Sequence, residues 1–339
     1  MGAYGGIEAF VMTLADWLRR NTTHEVRVCL KLVAGRTVER ALDASLASSG
    51  LDYSIVRRGS LGLLSSIRWA DVVHGNNCSP DIVLLAKMSR KPVVVTVHNW
   101  FRGCTGLRNR VWYLCNRVAD WRTYNSAFVL GTWEPRGASG ASELMPTVSR
   151  LPTNQAPFAA RKGFLFIARL IANKGLDDLL AAYASATFDK TAWPLHVVGD
   201  GPLLAWAKEY IAAHGVQGVE LLGFVPDSEK AHRIAHACWL VAPPNTREDM
   251  GLTPIEARNV AVPAIVTRDG GLPEAAGPSA LLCEPGDVPG LRAALERAAA
   301  MPSSEYASRA HAAKASLDGY LRPLSEYTAI YERLVARRA

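Results

Sequence analysis

GFLFIARLIANKGLDDLL, residues 163–180, is the stretch on which the reading of the fold rests. GFLFIAR (163–169) is a short, nearly continuous apolar run of strand length, ending at Arg169. A polar loop follows, and Lys174 and Gly175 open a segment at 175–186 that reads as a helix. Strand, loop and helix in succession form the repeating unit of an α/β sheet. Loops at the carboxyl ends of such strands are where ligands bind. Arg169 and Lys174 stand five residues apart across this junction, which suits a diphosphate. It suits an ordinary polar loop as well.

The alternation extends in both directions. Downstream, strands are expected at 195–199, 219–223, 238–243, 263–267 and 280–284, with helices at 203–213, 228–236 and 254–260. Upstream, RLPTNQAPFAARK (150–162) has two prolines and no periodicity, as a linker does. Before it, 7–20 reads as an amphipathic helix, 25–33 as a strand, and 53–56, 71–74, 92–97 and 127–131 as further β-like runs. The expected fold is α/β, two Rossmann-like domains facing across a cleft. Residues 1–155 form the acceptor side and 156–318 the donor side, while 319–339 is a helical tail crossing back to the first. One element is missing from the expected pattern. Such a sheet opens with a strand, yet the first helix here starts six residues into the chain, so the first strand is either absent or upstream of Met1.

Composition narrows the class. At 49% hydrophobic and 20% charged residues, the chain has the balance of a folded soluble protein. No apolar run approaches the roughly 20 residues of a membrane-spanning helix, and the N-terminus lacks a secretory pattern. Six scattered cysteines without C-x-x-C fit reduced thiols in the cytoplasm, although Cys104 and Cys115 are near enough in sequence to pair. The net charge of +7 is unevenly spread. Residues 1–150 hold 19 Lys+Arg against 11 Asp+Glu, and the remainder 19 against 20. The first half should therefore face something anionic. Within it, WFRGCTGLRNRVWYLCNRVADWRTY (100–124) interleaves five arginines with six aromatic residues. That pattern suits the inner face of an anionic membrane or a phosphate-bearing acceptor better than nucleic acid, and equally suits a basic helix whose aromatics pack inward.

REDMGLTPIEA (247–257) sets Glu248 and Glu256 eight apart with Gly251 between them. A helix starting near Thr253 or Pro254 would aim its amides at a preceding phosphate. Glu256 would then reach a ribose diol and Glu248 a sugar, unless both are solvated acids on a capped surface helix. VVGDGPLL carries only G-x-G, a weak fingerprint marking a tight turn. LLGFVPD is a strand running into a turn. His98 follows the strand VVVTV and so belongs at a carboxyl end, as a functional or a loop-capping group. His232 and His236 lie four apart on one helix, with no third ligand for a metal apparent in the sequence.

Taken in order, these pieces resemble the donor domain of glycosyltransferase family 4, a retaining GT-B family (glycosyl transferases group 1). The matching residues are Arg169, Lys174 and Gly175; Gly199, Gly201 and Pro202; Gly223 and Val225; Glu248 and Glu256; and Gly271, Pro273 and Glu274. The match spans about 163–300, with looser agreement at YGGIEAF (4–10) and TVHN (96–99). The resemblance implies hexose transfer from a UDP- or GDP-linked donor to a glycan, glycolipid or small-molecule acceptor, without metal or other cofactor. It gives Arg169 and Lys174 to the diphosphate, Glu256 to the ribose and Glu248 to the transferred sugar. Backbone amides at Gly251, Leu252 and Thr253 would reach phosphate and sugar oxygens, and the main chain at Phe224 and Val225 would meet the base. Gly5 and Gly6 would form a loop closing over the donor, and His98 would sit on the acceptor side. Two rivals stay open: a catalytically weak nucleotide-sugar-binding protein, and a Rossmann oxidoreductase or epimerase. The latter is weakened by the lack of G-x-G-x-x-G after a first strand and of Y-x-x-x-K.

Overall fold

A computed structural model describes residues 6–32, 37–38, 40–57, 60–148 and 151–337. The chain divides into two compact units, residues 1–150 with 321–339, and residues 151–320.

The first unit opens with α1 (Gly6–Asn21), followed by β1 (Arg27–Leu32), α2 (Arg40–Ser48), β2 (Asp52–Arg57), α3 (Leu61–Trp69) and β3 (Val73–Asn76). It continues with α4 (Pro80–Met88), β4 (Val93–Val97), α5 (Gly106–Arg117), β5 (Trp121–Tyr124), α6 (Ala127–Trp133) and β6 (Ser142–Leu144). All its strand pairs are parallel, in two ladders: β1–β2, and β3–β4–β5–β6. Two expectations change here. The run at 127–131 is helical, because Ser126 caps it by accepting from the Val129 amide at 3.0 Å. The strand lies instead at Trp121–Tyr124, inside the arginine–aromatic stretch, with every residue buried. Arg122 is tolerated there because Glu134 meets its guanidinium at 2.9 Å.

The second unit is one six-stranded parallel sheet. In chain order it comprises β7 (Lys162–Ile167), α7 (Leu176–Ser185), β8 (Leu195–Val198), α8 (Leu203–Ala213), β9 (Val219–Gly223), α9 (Asp227–His236) and β10 (Ala237–Ala242). Then come α10 (Leu252–Asn259), β11 (Ala264–Thr267), α11 (Leu272–Ala276), β12 (Leu281–Cys283), α12 (Val288–Ala299) and α13 (Ser303–Ala315). The strand order is β12-β11-β10-β7-β8-β9, the doubly wound arrangement whose direction of growth reverses between β7 and β10. Strands buried on both faces read as continuous apolar runs. Phe164, Phe166, Val197, Trp239 and Val241 face one core, and Leu165, Val198, Leu240 and Val266 the other.

The last helix, α14 (Ser325–Ala336), belongs to the first unit. Tyr327, Ile330 and Leu334 pack with Phe10, Leu14 and Val94. His74 fastens α14 to the sheet, with Nδ1 at 2.6 Å from the Tyr331 hydroxyl and Nε2 at 2.7 Å from Thr96 Oγ1. Among the described residues no helix is long and apolar enough to cross a membrane.

Candidate active site

Because every strand of the second unit runs the same way, the loops after β7, β8, β9, β10 and β11 share one edge of the sheet. Those after β7 and β10 flank the reversal point, the position where doubly wound sheets bind ligands. Local constraints hold them together. Gly175 takes a left-handed φ of +74°, and a Cβ there would run into the carbonyl oxygen of Pro243 in the β10 loop. Asn245 Nδ2 donates to the Ala172 carbonyl at 3.3 Å, and Thr246 Oγ1 to that of Asn173 at 3.4 Å. The β11 loop joins through the Gly271 amide, which donates to the Glu248 carbonyl at 2.8 Å. In the β8 loop Gly201 has φ +150°, and its missing Cβ leaves room for the Leu170 carbonyl.

This scaffold brings several of the expected residues together. Lys174 Nζ and Glu248 Oε1 form an ion pair at 2.5 Å, both side chains about three-quarters buried. Arg169, in the same loop after β7 as Lys174, is exposed and has no ion-pair partner among the described residues. The expected helix begins at Leu252, one residue earlier than anticipated, with Gly251 as its cap. A glycine cap offers no side-chain acceptor, so the first-turn amides of Leu252 and Thr253 remain available to an anion. Gly251 is itself needed for packing, since a Cβ would lie 2.9 Å from that of Ala275.

Glu256 sits one turn inside α10. Its Oε1 accepts from Lys230 Nζ at 2.8 Å, while Oε2 is buried without a hydrogen-bond partner. Burial pushes this carboxyl above its usual range, and Lys230 pulls the other way. An orphaned buried acceptor is costly unless a ligand hydroxyl or amide meets it. Lys230, on α9, was not among the residues expected from the sequence. At the end of β9, Val225 packs into the core and the ring of Phe224 is 81% exposed.

His98 belongs to the first unit, after β4. Its Nε2 lies 2.8 Å from Asn76 Oδ1, and its amide donates to Asn77 Oδ1 at 2.8 Å. Since a side-chain carbonyl only accepts, Nε2 carries the proton and Nδ1 is left as an acceptor. Burial pushes the ring down to about 4, so it is neutral near pH 7. Asn76, Asn77 and Asn125, which also donates to the His98 carbonyl, were missed from sequence. The NN pair after a strand was the available signal. Gly6 is the first residue of α1, and Gly5 lies outside the described residues. His232 and His236 stack at 4.1 Å, and among the described residues no cluster of three or more His, Cys, Asp or Glu side chains is arranged to hold a metal. All six cysteines are free thiols.

The arginine–aromatic stretch divides by chemistry. Phe101, Trp112, Tyr113 and Trp133 pack ring against ring, facing inward rather than serving as surface anchors. The outward face of α5 is aliphatic instead: Leu107 is 79% exposed and Leu114 59%, with Val111 and Val118 on the same stripe. Met88 of the adjoining α4 is 80% exposed, and Arg102, Arg108, Arg110 and Arg117 are exposed around the stripe.

Comparison with known proteins gives consistent results. The family described as Glycosyl transferases group 1 matches residues 152–316, and that described as Glycosyltransferase Family 4 matches residues 4–135. A glycogen synthase of Mycobacterium tuberculosis is 25% identical over 293 residues, covering 79% of this chain and 70% of that protein. The D-rhamnosyltransferase WbpZ of Pseudomonas aeruginosa is 28% identical, over 70% of this chain and 64% of its own. Among solved structures, Anabaena Alr3699/HepE in complex with UDP superimposes with a TM-score of 0.80 at 17% identity, covering 99% of this chain and 98% of that one. Sucrose-phosphate synthase from Thermosynechococcus elongatus gives 0.74 at 17% identity, covering 98% and 94%.

Proposed function

Because the chain belongs to the GT-B glycosyltransferases that carry the group 1 domain, we propose that it transfers a hexose from a UDP- or GDP-linked donor to an acceptor hydroxyl, with retention of anomeric configuration. The observation that carries this reading is the pairing at α10. Its uncapped N-terminus stands beside the Lys174–Glu248 ion pair, and Glu256 presents an unmatched acceptor one turn inside. An anion, a sugar and a diol are the three parts of a nucleotide sugar that such groups recognise.

In the proposed reaction the bond from the anomeric carbon to the leaving phosphate oxygen breaks. A bond to the acceptor oxygen forms on the same face, and the acceptor proton passes to the departing diphosphate. Charge growing on that diphosphate is met by Arg169, Lys174 and the amides of Leu252 and Thr253, so the chemistry needs no bound metal. Glu248 holds Lys174 in place and contacts the sugar, Glu256 takes the ribose hydroxyls, and the exposed Phe224 lies against the base. Neutral His98 offers Nδ1 to a substrate hydroxyl. The aliphatic stripe of α5 and its arginines form a face for an anionic membrane, where a lipid-linked glycan acceptor would be found.

Anabaena HepE has been solved with UDP-glucose, which makes UDP-glucose the first donor to try. The test is transfer to a panel of glycan, glycolipid and small-molecule acceptors with the product anomer read by NMR, with and without EDTA. Expected are an α-linked product from an α-linked donor, undiminished by EDTA, and a loss of about 10²–10³-fold in turnover for Lys174→Ala. Inverted product would overturn the stereochemical reading. Donor binding with no transfer to any acceptor or to water would favour the non-catalytic alternative.

A further inference from the structure

Three asparagines close around His98 from the ends of β3 and β5, the strands on either side of β4. Asn76 ends β3 and puts its side-chain oxygen 2.8 Å from His98 Nε2. Asn77, the next residue, donates its amide to the Thr96 carbonyl at 2.9 Å and so continues the β3–β4 ladder by one rung. In a parallel ladder the following rung would run from the His98 amide to the Asn77 main-chain carbonyl. The Asn77 side-chain oxygen takes that place instead, at 2.8 Å. Its Nδ2 donates to Asn99 Oδ1, and Asn125, after β5, donates to the His98 carbonyl at 3.3 Å. Phe10 of α1 meets the imidazole in a T-shaped contact, with ring centroids 5.4 Å apart.

The turn that carries the Asn76–Asn77 pair is costly and closely built. Asn77 has φ +45°, a left-handed conformation uncommon outside glycine, though asparagine is among the residues that tolerate it best. Gly75 packs so closely on Cys78 that a Cβ would not fit, and the Cys78 carbonyl accepts from Trp112 Nε1 at 3.0 Å. Backbone strain of this kind persists only where the surroundings hold it, and it gathers at functional sites. One polar atom of His98, Nδ1, is left without a partner among the described residues. A ring nitrogen without its proton accepts a hydrogen bond and donates none. Such an atom suits a hydroxyl and offers nothing to the oxygens of an ionised phosphate.

We infer that Asn76 and Asn77 are positioning residues, which hold His98 in one tautomer and one orientation with Nδ1 as a hydroxyl acceptor. Asn76 sets the tautomer, because its oxygen only accepts and so keeps the proton on Nε2. Asn77 sets the place of the ring by fixing the main chain that carries it. The group selected by this arrangement is a sugar hydroxyl, which donates to Nδ1, whereas an ionised phosphate oxygen, itself an acceptor, is turned away. Only the identity of that substrate rests on the proposed sugar transfer.

Long-range proton–nitrogen correlation spectra of the full chain at pH 7 read the tautomer directly, with the His98 signals assigned through His98→Phe. Wild type should show a single Nε2–H tautomer. Asn76→Leu, of similar size, should show a mixture of tautomers. Asn77→Gly, which keeps the left-handed φ accessible, should retain Nε2–H. In transfer assays each of these variants should lose about tenfold or more in kcat/KM. Asn76→Leu combined with His98→Phe should lose no more than His98→Phe alone, because Asn76 acts through the histidine. An Nδ1–H tautomer in wild type, a fixed Nε2–H tautomer in Asn76→Leu, or losses that add in the double variant would overturn the inference. The spectra do not depend on turnover. A chain that shows these tautomers yet transfers no sugar would remove the proposed activity and leave the positioning of His98 standing.

Discussion

Glu256 holds one carboxylate oxygen against Lys230 and leaves the other buried and unmatched. If a ribose diol meets that oxygen, Glu256→Ala should weaken donor binding about tenfold or more, the worth of a hydrogen bond to a charged group. A donor analogue lacking both ribose hydroxyls should bind wild type and variant alike, as titration calorimetry would show. Two buried histidines make a separate prediction. Burial pushes His74 down to about 3 and His98 to about 4, while both sit near 6.5 in the unfolded chain. Between those values the unfolded state binds protons that the folded state refuses, so stability falls as the pH drops below about 6.5. By pH 5.5 the penalty is on the order of 1 kcal/mol for each histidine. Denaturant melts from pH 8 to 5 should show it, and His74→Gln should flatten the slope. The paired acids and the Arg169–Lys174 spacing were legible in sequence because they follow a fixed order along one domain. Lys230 and the asparagines around His98 were not. Their roles arise from α9 meeting α10 and β3 lying beside β4, which no local spacing encodes.

At the scale of elements, the four helices expected in the second unit fell within two residues of their bounds because apolar periodicity and flanking turns agree, whereas α11, α12 and α13 were not expected. The error at 121–131 has a physical origin. WRTY is polar by composition and becomes a buried strand only because Glu134 neutralises Arg122 and also accepts from the Tyr124 hydroxyl at 2.8 Å. The following AFVLG run resembles a strand until Ser126 caps it as a helix. Helix α5 carries its own prediction. Its outward stripe of Leu107, Val111, Leu114 and Val118, ringed by arginines, should bind vesicles containing phosphatidylserine and release them at high salt. Leu107→Glu with Leu114→Glu should abolish sedimentation with those vesicles while leaving the melting temperature within a few degrees, since both side chains are exposed. Equal binding by this variant would remove the membrane face from the account.

Across the whole molecule, charge and fold divide along the same line. The positive excess lies in residues 1–150, and the second unit, slightly acidic with 15 Lys+Arg against 18 Asp+Glu, carries the residues assigned to the donor. The repeating strand–helix pattern made the doubly wound class readable from sequence. Strand order was not readable, because it depends on which edges pair, and it is the order that places Lys174 and Glu248 at the reversal between β7 and β10. A nucleotide sugar bound at that position is the central expectation. The most direct measurement is titration calorimetry of the full chain with a panel of UDP- and GDP-sugars, for wild type, Lys174→Ala and Glu256→Ala. One donor should bind wild type with one-to-one stoichiometry and bind each variant at least tenfold more weakly. Absence of binding by every donor, or affinity unchanged in both variants, would contradict it.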